Sequence, residues 1–233
     1  MGLADLHNHT TWSRDAAASV EELIRYAARQ TPLDVISITD HDEIQGALEA
    51  VNLGQHYGIE VVPGSEISTA EGHLLGLFMH KKIPSGLSLV ESILRVAEQG
   101  GLCIIPHPLA LNARGVTEKR LRIALRDPDV PRVLVALESY NAGLVYRQTN
   151  DEAERLAFRL QMPRTGGSDS HLLWMVGSGM TAFTGSSAAD LRSALQAGAV
   201  LPLRKRDFTA LHLVWDWTRR IFLRRVGMLA NRA

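Results

Sequence analysis

The chain has 233 residues, 45% of them hydrophobic, and a formal net charge of zero, which is enough apolar material for one sizeable core. Its single cysteine, Cys103, lies in an apolar strand-like run, so a disulfide framework and a cysteine-based zinc knuckle are both excluded and a reducing cytoplasm fits best. No run of about 18 apolar residues marks a membrane span, and Met1-Gly2-Leu3-Ala4-Asp5 lacks the basic and apolar regions of a signal peptide, so a soluble cytoplasmic protein is expected.

In chain order, short apolar runs rich in β-branched residues alternate with amphipathic stretches, the pattern of repeated βα units around parallel strands. A strand over 3–7 is followed by a helix that opens at Ser19 with Glu22 three residues on. Strands over 34–39, 59–67 and 73–79 come next, and a second helix opens at Ser88 with Glu91. Each hydroxyl and carboxylate pair can satisfy free N–H groups reciprocally. Gly100-Gly101 stops that helix before strands over 102–106, 133–138 and 163–167, and Gly198 stops the next before a strand over 199–202. No internal repeat interrupts this order, and nothing argues for a second domain before residue 203.

The zero net charge hides an asymmetry. From Arg204 onward there are 8 Lys+Arg against 2 Asp+Glu, and the remainder is acidic by the same margin. The segment 204–233 reads as a basic amphipathic helix carrying Trp215, Trp217, Ile221 and Phe222 among arginines. Such a helix can cap the barrel with its arginines in water, or lie on a nucleic acid or an anionic membrane surface.

Five apolar runs end in His, Asp or Glu: Asp5-Leu6-His7-Asn8-His9, Thr39-Asp40-His41-Asp42, Gly64-Ser65-Glu66, Pro106-His107-Pro108 and Ser168-Asp169-Ser170-His171. His7 and His9 are two apart, so in extended chain both rings face one side. Asp169 and His171 repeat that spacing. Imidazole with carboxylate suits zinc, manganese or iron rather than calcium or magnesium. About eight candidate ligands exceed the four to six positions of one centre, so at least two ions are expected. In a parallel barrel the carboxyl ends of the strands share one face, and there these segments would converge. His56, His80 and His212 read as structural.

These segments together resemble the PHP (polymerase and histidinol phosphatase) family of metal-dependent phosphoesterases over about residues 3–200. Asp5-Leu6-His7-Asn8-His9-Thr10 is similar to its opening motif and Ile38-Thr39-Asp40-His41 to its second. The stretch around His107 is similar to its third motif, and Gly167-Ser168-Asp169-Ser170-His171 to its fourth. The resemblance implies a distorted α/β barrel of the (β/α)7 type, TIM-barrel-like, in a single domain over 1–203 with a C-terminal helical extension over 204–233. It also implies two or three divalent metal ions per chain (manganese, zinc or iron). His7, His9, Glu66 and Asp169 would hold one ion; Glu66 would bridge to a second, held also by His107 and His73. Asp15, His41 and His171 would hold a third, although Ser13-Arg14-Asp15 places the aspartate one residue later than many members do.

The reaction implied is hydrolysis of a phosphate ester, on a small phosphorylated metabolite, a nucleotide or an oligonucleotide end. A metal-bridging hydroxide would be the nucleophile. Asp40, His41, Asp169 and His171 are the candidate catalytic residues, with Asp40 orienting a ligand or taking a proton. Arg114, Asn141 and Arg147 follow strands and are candidates for substrate phosphate. The alternatives are an inactive metal-binding scaffold and a metal-dependent amidohydrolase acting on carbon. Partners beyond a small phosphorylated substrate, and the oligomeric state, are not legible.

Overall fold

The computed structural model describes residues 1–144 and 148–204, together with Trp215 and Thr218. Of the expected basic helix over 204–233, Arg204 is strand, Trp215 and Thr218 are helical, and the rest, with His212 and Arg147, lies outside the described residues. Among the described residues no helix is long and apolar enough to cross a membrane.

Among the described residues nine strands form one sheet: β1 (Gly2–Asp5), β2 (Val35–Ile38), β3 (Glu60–Ser68), β4 (His73–Leu77), β5 (Leu102–Ile105), β6 (Leu134–Asn141), β7 (Arg164–Gly167), β8 (Gly179–Phe183) and β9 (Val200–Arg204). Their order is β7-β6-β5-β4-β3-β2-β1-β8-β9. The curled sheet nearly closes. Beyond the strand ends, Asn8 and Ser170 form a parallel bridge that joins the chain leaving β1 to the chain leaving β7. On the same seam Thr181 Oγ1 of β8 accepts from Gly166 N (3.0 Å) and donates to Gly166 O (2.8 Å). Gly166 and Gly179 are needed there because a Cβ on either would collide with backbone of the facing strand,.

The expected all-parallel arrangement needs one correction. β1, β2, β3, β5, β6 and β7 run parallel to one another, but β4 is antiparallel to both β3 and β5. The reason is the connection. Only four residues separate β3 from β4, folded by Thr69 N and Oγ1 on the Gly72 carbonyl, and a parallel crossover needs a dozen or more. As a consequence the amino end of β4, His73, meets the carboxyl ends of the parallel strands. A second correction is β8, absent from the sequence expectation because Gly179-Met180-Thr181-Ala182-Phe183 carries only one β-branched residue and no alternation of charge.

Helices cover the outer face, α1 (Val20–Gln30), α2 (Gln45–Tyr57), α3 (Leu89–Ala97), α4 (Glu118–Ala124), α5 (Val130–Val133) and α6 (Gln148–Leu160), while α7 (Ala188–Gln196) packs against the inner one. In α1, Val20, Leu23, Ile24 and Ala27 are buried, the i, i+3, i+4, i+7 stripe of a helix lying on a core. Ser19 and Glu22 form the reciprocal cap, worth about 1 kcal/mol. At α3 only the hydroxyl half forms: Ser88 Oγ accepts from Glu91 N (3.1 Å), while the Glu91 carboxylate turns to Arg95. Gly100 and Gly198 follow α3 and α7 at φ 72° and 68°, where glycine carries no Cβ penalty.

Strand alternation sorts the core into two layers. Ile36, Ile38, Cys103 and Ile105 pack outward with the helices. Val35, Val62, Leu75, Leu77 and Ile104 pack with Leu191 and Leu195 of α7, and the α7 amino end bonds to the Glu60 carboxylate at the start of β3. The apolar filling therefore lies toward the amino ends of the parallel strands, leaving their carboxyl ends to polar residues.

Candidate metal centre

Glu66, near the end of β3, is 1% exposed and touches five imidazoles. Its Oε1 lies 2.8 Å from His73 Nδ1 and 3.0 Å from His107 Nε2. Its Oε2 lies 3.2 Å from His7 Nε2, 3.3 Å from His9 Nε2 and 3.2 Å from His41 Nδ1. Each oxygen thus serves a separate set of rings.

Two further carboxylates extend the cluster. Asp169 Oδ1 is 3.5 Å from His7 Nε2, 3.4 Å from His9 Nε2 and 3.6 Å from His171 Nδ1. Asp15 Oδ2 is 3.2 Å from His171 Nε2 and 3.5 Å from His41 Nε2. All nine residues expected as ligands, His7, His9, Asp15, His41, Glu66, His73, His107, Asp169 and His171, therefore meet in one place. The ligand atoms of all of them but Asp15 fall into four overlapping groups within 4.8 Å: His9/His41/His171, His7/His9/Glu66, His7/His107/Asp169 and His41/Glu66/His73.

Local structure explains the convergence. The bridge between Asn8 and Ser170 sets the two histidine-and-aspartate segments side by side, with His9 N on Ser170 O (2.9 Å) and Ser170 N on His7 O (3.3 Å). Period two then sends His7 and His9 into the cluster and Asn8 away from it, where its side chain bonds Asp5 O, Ser37 O and the Ser168 and Ser170 hydroxyls. Asp169 and His107 hold positive φ, 51° and 31°, strained for residues with a Cβ and typical of positions the surroundings must over-determine. His107 N is fixed by Glu138 Oε2 at 2.9 Å.

The electrostatics follow from crowding. Burial works against charge on His9, yet Asp169 and Glu66 push it up to about 10. His7 and His41 are also raised against their burial, His7 chiefly by Asp169 and Glu138 and His41 by Asp15 and Glu66. Conversely, Glu66 and Asp169 are held well below the usual carboxylate range, because the histidines overcome their burial, and Asp15 is lowered for the same reason.

These residues fit divalent cations. His9 Nε2 and His73 Nδ1 are buried and lack any hydrogen bond, although both lie within 3.3 Å of Glu66 oxygens. Nitrogen lone pairs crowded around a carboxylate without hydrogen-bond alignment are what shared coordination of a cation between them would produce, and one carboxylate cannot neutralise five imidazolium rings. Glu66 suits a bridging ligand.

Other candidates are placed differently. Asp40 is buried and touches no imidazole: its oxygens accept from Thr10 N (2.7 Å), Thr10 Oγ1 (2.7 Å) and Ser13 N (3.2 Å). It fixes the turn after β1. Ser13 Oγ in that turn lies 3.1 Å from His9 Nδ1 and accepts from His41 N at 2.9 Å. Asn141 is buried and spends its amide N–H groups on Glu138 Oε2 (2.8 Å) and Asp169 Oδ2 (3.1 Å), so it supports the cluster instead of facing a substrate. Arg114 is exposed, and its carbonyl anchors His73 N at 2.9 Å. His56 and His80 are exposed and outside the cluster, as the structural reading expects.

Three supporting residues escaped the sequence reading. Glu138 on β6 places Oε1 3.1 Å from His7 Nδ1. Its signal was available, a carboxylate closing the apolar run 133–138 like the other ligand-bearing runs. Asp5 is pushed by burial to about 6 while accepting from Ser168 N and Gly177 N, and Ser13 carried no signal.

Comparison with known proteins agrees with this geometry. The PHP-associated family model matches residues 147–200. An uncharacterized protein of Methanocaldococcus jannaschii is 46% identical over 114 residues, covering 45% of this chain and 67% of that protein. A 5'-3' exoribonuclease of Haemophilus influenzae is 40% identical over 92 residues, 38% of this chain and 33% of its own length. Among solved structures, a two-domain Bacteroides vulgatus protein containing a PHP-like metal-dependent phosphoesterase superposes with a TM-score of 0.70 at 19% identity. The match covers 87% of this chain and 64% of that one. The family model over residues 147–200 and the fold place the chain with the PHP-like proteins.

Proposed function

We propose that this protein is a metal-dependent phosphoesterase that hydrolyses a phosphate ester of a small metabolite, a nucleotide or an oligonucleotide end. The observation carrying the reading is the division of Glu66, with His73 and His107 on one oxygen and His7, His9 and His41 on the other. Bound divalent cations supply Lewis acidity at phosphoryl oxygens and lower the pKa of water toward neutrality. Glu66 and Asp169 stay ionised and anchor the ligand set. Glu138 and Asn141 hold His7 and Asp169 in place. His171 and Asp15, both partly exposed, stand on the solvent side, where a leaving group departs.

The test is elemental analysis of purified protein, followed by assay with manganese, zinc and iron against a panel of phosphate esters. Two or three metal ions per chain are expected, with turnover abolished in His7→Ala. Bound metal without turnover on any phosphate ester rejects the reading in favour of a metal-binding scaffold. Turnover confined to amides would assign the same cluster to C–N hydrolysis.

A further inference from the structure

We propose that Trp12 is a stacking platform for a nucleobase, so that the substrate is a phosphate ester carrying a base; this rests on the phosphoesterase reading above. Trp12 is 43% exposed, yet the turn that carries it is fixed on both sides. Thr10 and Ser13 are buried and both are held by Asp40, and Trp12 N bonds to Thr10 Oγ1 at 3.2 Å. The next residue, Ser13, touches the His9 ring and the His41 backbone. The backbone that carries the indole is therefore fixed next to a residue in contact with the cluster, three residues before Asp15.

Its seat is built for a flat ring. Gly46, in the first turn of α2, has no side chain, and a Cβ there would come within 2.6 Å of the indole Cδ1 and 3.1 Å of Cγ. The indole edge at Cδ1 therefore lies against bare helix backbone, and 43% of the residue is open to solvent. A large apolar ring left exposed but immobilised loses little conformational freedom when a second ring stacks on it. Arg14, two residues along the same turn, is exposed and has no acceptor among the described residues. A guanidinium on the same turn as the ring favours an anionic aromatic ligand over a cationic one. A nucleotide combines both requirements: a planar base for Trp12 and phosphate oxygens for the cluster and Arg14.

The test compares binding of adenosine 5'-monophosphate and ribose 5-phosphate to the full-length, metal-loaded protein by calorimetry. Tryptophan fluorescence quenching is followed in parallel. Base stacking on an aromatic side chain predicts that the nucleotide binds roughly 10-fold tighter than the sugar phosphate. Trp12→Leu should remove that preference while ribose 5-phosphate affinity and metal content stay unchanged, and Trp12→Phe should keep most of it. Equal affinity for the two ligands in the wild type, or a preference that survives Trp12→Leu, overturns the proposal. A base preference without hydrolysis of any phosphate ester would sink the phosphoesterase reading and leave the platform standing. Hydrolysis with no base preference would do the reverse.

Discussion

Glu138 Oε1 lies 3.1 Å from His7 Nδ1, and both groups are buried. With Nδ1–H donating to Glu138, Nε2 is left facing Glu66 and Asp169, the nitrogen that a cation held between them would take as ligand. That carboxylate orients the imidazole and raises its basicity as a ligand.

Removing it should therefore weaken metal binding without touching a ligand. Glu138→Ala is expected to lower affinity about 10- to 100-fold, measured by competition with a chromogenic chelator, and Glu138→Gln should fall between. Wild-type affinity in Glu138→Ala would show that His7 is oriented by something else.

Asp40 tests the difference between positioning and proton transfer. Its two oxygens accept three hydrogen bonds from Thr10 and Ser13, so in Asp40→Ala the buried Thr10 N–H loses its partner. The expected cost is about 1–3 kcal/mol, seen as a melting temperature lower by several degrees, with the pH profile of kcat unchanged in shape. A variant that melts like the wild type but has lost turnover would make Asp40 a proton carrier.

The barrel seam offers a stability prediction remote from the cluster. Thr181 Oγ1 is the acceptor for Gly166 N, and Thr181→Val leaves that N–H buried without a partner. Unfolding in urea should shift by about 1–3 kcal/mol while metal stoichiometry holds. An unchanged midpoint would mean that β7 and β8 are held together by packing alone.

Most of the cluster was legible because its ligands sit at the ends of apolar runs, and the period of two fixed which side His7 and His9 face. The strands of the barrel could be read for the same reason, their inner and outer faces both being apolar. The direction of β4 could not be read from its own residues: it follows from the length of the 69–72 turn, which a pattern of alternating runs does not weigh. β8 was missed because glycine, alanine and methionine carry little strand signal, and its pairing with β1 is decided by tertiary contact. Asp40 was identified as important but for the wrong contact, since spacing beside His41 does not reveal that its carboxylate points back to Thr10 and Ser13.

The last prediction concerns pH, and its sign differs between metal-free and metal-loaded protein. In the metal-free cluster, burial depresses His9 but Asp169 and Glu66 raise it from 6.5 to about 10, so between those values the folded chain binds more protons than the unfolded one. The stabilisation is fully present below pH 6.5 and is lost as pH rises toward 10,. Glu66, Asp169 and Asp15 are lowered, so their contribution is present above their ordinary values and lost on acidification. Metal-free protein should then melt at progressively lower temperature as pH is raised above neutrality. Cations require neutral imidazole, so loading releases protons and affinity tightens with pH. Thermal scans with chelator and with manganese should separate increasingly from neutral to alkaline pH, and parallel curves would mean that these histidines hold no cation.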